Sequence, residues 1–313
     1  MDVVKARIFR YSLPIKHPTV KTREGLLLQL QKGPKTSSWS EIAPYPELNS
    51  ETLGQALEQL LLCPTCTGIN FDALYPSVSF GLQSALQSIY DNETPQQTLP
   101  LSALLLGSPA EILEKAKQMY SLGFHSAKLK IAQLTLDEAK NVIRALQDRF
   151  FLRIDANRMW PLQKILKLIA SFDPAIFDYF EEPVDKLGDL AKFPLPFAID
   201  ESLADFPILP NLRALIIKPT VFGGFSRCKA MLDFARKNHL QCILSSTFES
   251  GIGLMQIARL AGQLGLCTHP LGLGTFSYLL NDLLEEPLPI QKGVITLKNV
   301  RPKMVLLDEI AAI

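Results

Sequence analysis

No apolar run in the 313-residue chain approaches the roughly 18–20 residues that a membrane-crossing helix needs. No block of like charge or low-complexity tract occurs, and the formal net charge is only +1. Nothing therefore draws the chain to nucleic acid or to an anionic membrane. The opening Met1-Asp2-Val3-Val4-Lys5 is followed by no long apolar region, so it does not read as a signal peptide. Gly-x-Gly-x-x-Gly is absent after the early strands, which disfavours a dinucleotide fold. Cysteine is sparse and odd in number: Cys63, Cys66, Cys228, Cys242 and Cys267. They read as reduced thiols of a cytoplasmic protein. Cys63-Pro64-Thr65-Cys66 has metal or redox spacing, but no second Cys or His pair lies near it, so plain thiols are expected.

What is present is a hydrophobic fraction of 47%, enough for a sizeable core. From about residue 99, short apolar runs alternate with amphipathic stretches. Strands are expected at 102–106, 127–131, 151–155, 177–181, 197–200, 215–218, 242–245 and in a last run leading to His269-Pro270-Leu271-Gly272. Helical periodicity fills most of the gaps. Eight such units indicate an α/β fold with a modified (β/α) TIM-type barrel. Before residue 99 the pattern is α+β, with strands at 3–11 and 25–32 and helices at 50–62 and 77–89. Strand-like segments return at 294–297 and 304–307. The expected organisation is an α+β capping domain built from both termini, 1–97 plus 281–313, on a barrel of 98–280. A polar loop at 13–22 would close over the barrel mouth.

Within this frame one series of charged residues stands out. Lys128 and Lys130 are two apart on the second barrel strand, so both face one side. Asp155, Glu181 and Asp200 end the third, fourth and fifth strands, and Lys218 ends the sixth. Active groups sit at the C-terminal ends of barrel strands. Three carboxylates gathered there would repel one another unless a hard cation such as Mg²⁺ joined them. The sixth strand lies opposite the second, so Lys218 faces the lysine pair across the mouth. Repulsion between the two close ammonium groups, and the metal, would lower the pKa of one lysine and make it a base. A small-molecule carboxylate on the metal would place its α-carbon between Lys130 and Lys218. The chemistry expected is abstraction of an α-proton through an enediolate.

At these residues the chain resembles the enolase superfamily, in its muconate-lactonizing-enzyme-like branch. The matching stretches are Lys128-Leu129-Lys130, Asp155-Ala156-Asn157-Arg158-Met159-Trp160, Phe180-Glu181-Glu182-Pro183, Ile199-Asp200-Glu201-Ser202 and Ile217-Lys218-Pro219. Within the branch it is most similar to the o-succinylbenzoate synthase family. The pointers are Lys21-Thr22-Arg23-Glu24-Gly25-Leu26, Trp39-Ser40-Glu41-Ile42-Ala43-Pro44, Pro76-Ser77-Val78-Ser79-Phe80-Gly81 and Ser245-Ser246-Thr247-Phe248-Glu249-Ser250. The resemblance implies that Asp155, Glu181 and Asp200 bind Mg²⁺, with Mn²⁺ as a substitute. It selects Glu181 over Glu182, which periodicity alone does not. It implies a carbon–oxygen lyase that removes water from a cyclohexadiene carboxylate, with Lys130 as base and then acid. Lys128 would support Lys130, and Lys218 would stabilise the enediolate.

Ser245, Ser246 and the backbone near Gly272 are expected to hold a second substrate carboxylate. Arg153 shares the face of Asp155 and would either orient a carboxylate or form a plain ion pair. Asn157 and Glu201 would support the metal ligands by hydrogen bonds from behind. Trp160 is expected to pack, His17 to be solvated, and His125 and His269 to be core or surface residues. The loop at 13–22 looks short beside these relatives. The rival readings are an N-acylamino acid racemase, a dipeptide epimerase, or a barrel that binds ligands without catalysis. Gly272-Leu273-Gly274-Thr275 stands where a dipeptide epimerase carries Asp-x-Asp, which disfavours that rival. Whether the protein is a monomer or a homo-oligomer is left open by the sequence.

Overall fold

The computed structural model describes residues 4–17, 20–34, 36–63, 68–90, 97–200, 202 and 208–312. The chain opens with three antiparallel strands, β1 (Val4–Pro14), β2 (Thr22–Lys32) and β3 (Thr36–Ile42). Helices α1 (Leu53–Leu61) and α2 (Pro76–Tyr90) follow. The period of two sends Leu26, Leu28 and Leu30 to one face of β2, where they pack with Ala56, Leu60, Val78, Leu82 and Ala85 of the helices. Leu27 points the other way, with Phe9, Tyr11 and Leu13, onto Ile252, Leu283 and Leu284. Both faces are buried, so the strand reads as an apolar run rather than a clean alternation.

β4 (Thr98–Pro100) leads into the barrel. Its strands and helices are β5 (Ala103–Leu105), α3 (Pro109–Ser121), β6 (Ser126–Lys130), α4 (Leu136–Leu146), β7 (Phe151–Asp155), α5 (Leu162–Ile169), β8 (Phe177–Glu181), β9 (Phe197–Ile199), β10 (Leu212–Ile217), α6 (Pro219–Phe222), α7 (Phe225–Lys237), β11 (Gln241–Leu244) and α8 (Gly251–Gln263). The seven strands form one parallel sheet in the order β11-β10-β9-β8-β7-β6-β5. The eighth expected strand shrinks to Leu271 and Gly272. These make parallel bridges to Leu101 on one side and Ser245 on the other, and so close the barrel. α3 and α4 each start in a capping box, Ser108 with Glu111 and Thr135 with Glu138.

The chain ends in β12 (Ile290–Gln291), which pairs with β13 (Val294–Thr296), which pairs in turn with β4, and in β14 (Asp308–Ala312), which returns to β1.

Several details differ from the sequence expectation. β1 runs on to Pro14 and pairs it with Thr22, so the strands take in Leu13, Pro14 and Thr22 from the ends of the expected loop. β3 was not foreseen, because Ser37, Ser38 and Ser40 dilute its apolar alternation. Residues 304–306 form a 3₁₀ turn, and the terminal strand lies beyond it. Trp160 is buried in the barrel wall, under the Lys164 ammonium. Cys63, Cys228, Cys242 and Cys267 are free thiols, while Cys66 lies outside the described residues. No helix among the described residues is long and apolar enough to cross a membrane.

Candidate active site

Register explains how the charged residues meet. Lys128 and Lys130 face the barrel interior, while Leu129 between them is fully buried against the outer helices. Lys130 pairs with Asp155, Asp155 with Glu181, and Glu181 with Ala198. Asp200 lies two residues beyond Ala198 and shares its side. Ala198 pairs in turn with Ala214, and Lys218 lies four residues further on, again on the interior side. β10 and β6 are four strands apart in the sheet order, so Lys218 stands opposite the lysine pair. Two irregularities preserve this phase. The partner of β7 jumps from Phe177 to Tyr179 and skips Asp178, and β10 skips Arg213.

At the top of the barrel the charges are paired. Lys130 Nζ donates to Asp155 Oδ2 at 2.8 Å and to Asn157 Oδ1 at 2.9 Å. Lys128 Nζ donates to Glu181 Oε1 at 2.8 Å and lies 3.4 Å from Asp155 Oδ2. Lys218 Nζ donates to Asp200. The backbone N–H of Asn157, in the left-handed region at φ 44°, donates to Asp155 Oδ1 at 3.0 Å. Glu182 turns away from this group and accepts from the N–H groups of Asp200 and Ser202 at 3.0 and 2.9 Å. Glu201 lies outside the described residues.

Burial works against the Lys128 ammonium, but Glu181, Asp155 and Asp200 outweigh it and hold its pKa well above the ordinary lysine value. Carboxylates surround Lys128 and outweigh repulsion from Lys130, so Lys128 is not the lysine whose pKa is lowered here. Burial also opposes the Asp155 charge, yet Lys130 and Lys128 hold its pKa below the ordinary aspartate range. Burial pushes Glu181 up; Lys128 pulls it back, and Asp155 and Asp200 push it up again, above the ordinary carboxylate range.

Three buried carboxylates on consecutive strands are a hard-oxygen donor set suited to a divalent cation. As placed, each is drawn onto an ammonium. Among the described residues, no group of three acidic, histidine or cysteine side chains is gathered tightly enough to hold a metal ion.

A cavity of about 180 Å³ opens above this cluster, with Lys128 and Lys130 on one wall and Lys218 on the other. Ser245, Ser246 and Gly272 form part of its lining. Ser245 Oγ and Ser246 Oγ both donate to the Gly272 carbonyl, at 3.2 and 3.0 Å. Ser246 Oγ also lies 2.6 Å from Thr275 Oγ1. A Cβ on Gly272 would come within 2.5 Å of Ser245 Oγ, which explains the glycine.

Arg153 reaches the cavity lining from one layer below and is committed to an ion pair. Its Nε donates to Asp178 Oδ2 at 2.9 Å and its Nη1 to the Pro270 carbonyl at 2.6 Å.

The sequence reading missed several lining residues. His17 is half-buried rather than solvated, and its ring meets Phe248 edge-on at 5.1 Å. Tyr45 and Leu48 reach over from the N-terminal part, and Tyr179, Ile216 and Ile243 line the interior. Strand alternation could have found the last three, since each is two residues from a flagged position.

Comparison with known proteins separates fold from family. The profile "Enolase C-terminal domain-like" matches residues 111–302, and "MenC, N-terminal domain" matches residues 3–89. The o-succinylbenzoate synthase of Yersinia pseudotuberculosis serotype O:1b (strain IP 31758) is 33% identical, over 93% of this chain and 98% of that protein. Among solved structures, the L-Ala-D/L-Glu epimerase of Bacillus subtilis matches with a TM-score of 0.79 at 18% identity, over 100% of both chains. The o-succinylbenzoate synthase of Thermosynechococcus elongatus BP-1, complexed with Mg in the active site, matches with a TM-score of 0.71 at 22% identity, over 90% of this chain and 97% of that one. Epimerase and synthase share the backbone, so the fold does not choose between them. The N-terminal profile and the near full-length identity do: the chain belongs to the enolase superfamily and, within it, to the o-succinylbenzoate synthase family.

Proposed function

We infer that the protein is an o-succinylbenzoate synthase, a lyase that dehydrates 2-succinyl-6-hydroxy-2,4-cyclohexadiene-1-carboxylate (SHCHC) to o-succinylbenzoate in menaquinone biosynthesis. The observation that carries the chemistry is the placement of Lys130 and Lys218 on opposite walls of one cavity, above three buried carboxylates. Asp155, Glu181 and Asp200 would hold a divalent cation, Mg²⁺ or Mn²⁺, which when bound draws negative charge into the substrate carboxylate.

Lys130 would leave Asp155 and lose its ammonium proton to solvent; as the free amine it then takes the proton from the ring α-carbon. The C–H electron pair moves into the carboxylate as an enediolate. Lys130, now an ammonium, returns that proton to the C6 hydroxyl on the same face; the C–O bond breaks and water leaves. Lys128 keeps its charge beside Glu181 and supports both Lys130 and the ring carboxylate. Lys218 presents its ammonium from the opposite wall to the enediolate and to the ring that becomes aromatic. Ser245 and Ser246, turning their hydroxyl protons from the Gly272 carbonyl, would hold the succinyl carboxylate with help from backbone near Gly272, and Asn157 would orient Asp155 and Lys130. The same reading assigns 1–97 with 281–313 to a cap and 98–280 to the barrel of a cytoplasmic enzyme.

Gly272 and Thr275 line the cavity where an acidic pair would be needed to hold a substrate amine, so dipeptide epimerisation is disfavoured. The test is to give purified protein and Mg²⁺ either SHCHC or an N-acylamino acid. Loss of diene absorbance with formation of o-succinylbenzoate is expected. Inertness to SHCHC together with exchange of the α-proton of the N-acylamino acid would overturn the assignment.

A further inference from the structure

Two acidic residues in the stretches Trp39–Pro44 and Ser245–Ser250 have no place in the proton transfer: Glu41 and Glu249. Both are buried, at 3% and 2% exposure, where an unpaired carboxylate would be costly. Each meets a full set of donors. Glu249 Oε1 accepts from Thr220 Oγ1 and Thr247 Oγ1, both at 2.6 Å, and Oε2 accepts from the Thr247 N–H at 2.5 Å. Thr220 lies two residues after Lys218, and its carbonyl accepts from Asn49 of the N-terminal part at 2.9 Å. Glu41 comes from β3. Its Oε1 accepts from Tyr11 Oη at 2.6 Å and from the Ser250 N–H at 3.1 Å, and its Oε2 from the Gly253 N–H at 3.0 Å. Ser250 and Gly253 are the cap and the third residue of α8, so Glu41 places a carboxylate at that helix's N-terminus from across the molecule.

Between the two anchors sits Phe248, in the left-handed region at φ 62° and on the cavity wall. A bulky side chain there is strained and persists only where its surroundings hold it. Gly253 closes the arrangement: a Cβ there would meet Glu249 Cβ at 2.6 Å and Glu41 Oε2 at 2.8 Å.

We propose that Glu249 is a positioning residue that locks the 245–247 wall of the cavity to the turn carrying Lys218 and holds Phe248 over the cavity, while Glu41 anchors the far end of the same segment. The donors described at both carboxylates are hydroxyls and backbone N–H groups of the fold itself, which suits braces.

The kinetic arm of the test rests on the dehydratase reading; the second arm needs no substrate. Glu249→Gln faces the Thr247 N–H with an amide and is expected to raise KM for SHCHC on the order of 10-fold. A purely structural role would lower the folded fraction, hence apparent kcat, and leave KM unchanged, which would overturn the proposal. Thr220→Val, which cuts only the tie to the Lys218 turn, should also raise KM, and should add nothing in a Glu249→Ala background, where that tie is already gone; multiplying effects would contradict the lock. In the second arm, amide hydrogen exchange across 245–250 should accelerate in Glu249→Gln while α4 stays protected. Unchanged protection would sink the brace whatever the substrate is. Failure of the wild type to dehydrate SHCHC would instead sink the functional reading, and hydrogen exchange would still judge the brace.

Discussion

Lys128 and Lys130 are two residues apart on one strand, yet their surroundings divide the labour. Lys128 is the more enclosed, with its side chain 15% exposed against 31% for Lys130, and it bridges Glu181 and Asp155. It is held as a fixed charge, which is consistent with the proposal that Lys130 is the base. Lys128→Met would strand the buried Glu181 carboxylate, while Asp155 keeps Lys130, and should cost about 3–5 kcal/mol of metal-free stability. Mg²⁺ should then raise the variant's unfolding midpoint by more than it raises the wild type's. Equal shifts would mean that Lys128 and the cation do not serve the same carboxylates. His17 offers a second test. Burial first, then Lys130 and Lys21, lower its pKa below the ordinary 6.5. The folded state thus prefers the neutral ring: this contribution to stability is complete above about 6.5 and is lost as pH falls through the lower folded value. An NMR titration of the imidazole should give a midpoint below 6.5, and a midpoint above it would contradict the placement. The charged residues were legible in the sequence because strand parity and strand ends fix where such groups point. His17 was placed in the loop over the mouth but read as solvated, because nothing local shows that its ring packs against Phe248.

Among the elements, the strands owe their phase to features that alternation does not reveal. Asp178 and Arg213 are skipped in the ladders, and without those skips Glu181 and Lys218 would lie out of step with their neighbours. The sequence reading reached the correct facing by counting back from strand ends, where the skips do not matter. The eighth strand was expected as a run leading to 269–272 and is two residues long, Leu271 and Gly272. Helix packing is tight where α2 crosses β3: a Cβ on Gly81 would come within 2.3 Å of Ile42 Cγ1 and 2.8 Å of the Glu41 carbonyl. Gly81→Ala should therefore cost about 1–3 kcal/mol in urea unfolding; a stabilised variant would show that this crossing has slack. Thr135→Ala, which removes the cap of α4, should cost about 1 kcal/mol in the same experiment.

Taken whole, the molecule joins its two ends in one sheet, and the N-terminal part of that unit serves the cavity. β14 returns to β1, and the N-terminal part supplies His17, Tyr45 and Leu48 to the lining. That both termini contribute was legible in the strand-like segments at each end. Which of their side chains reach the site was not, since that depends on contacts across distant sequence. A cation bound only by the folded state should stabilise it by about 2.7 kcal/mol at a hundred times its dissociation constant. A chelator should remove both that gain and the activity, and Mg²⁺ should restore both. A melting point indifferent to Mg²⁺ would contradict the assignment of Asp155, Glu181 and Asp200. The central claim is that Lys130 moves the proton, and the most direct measurement is the turnover of SHCHC by Lys130→Ala with Mg²⁺ present. A loss of at least ~10³-fold in kcat, with the fold intact by circular dichroism, is predicted; dehydration at the wild-type rate would contradict it.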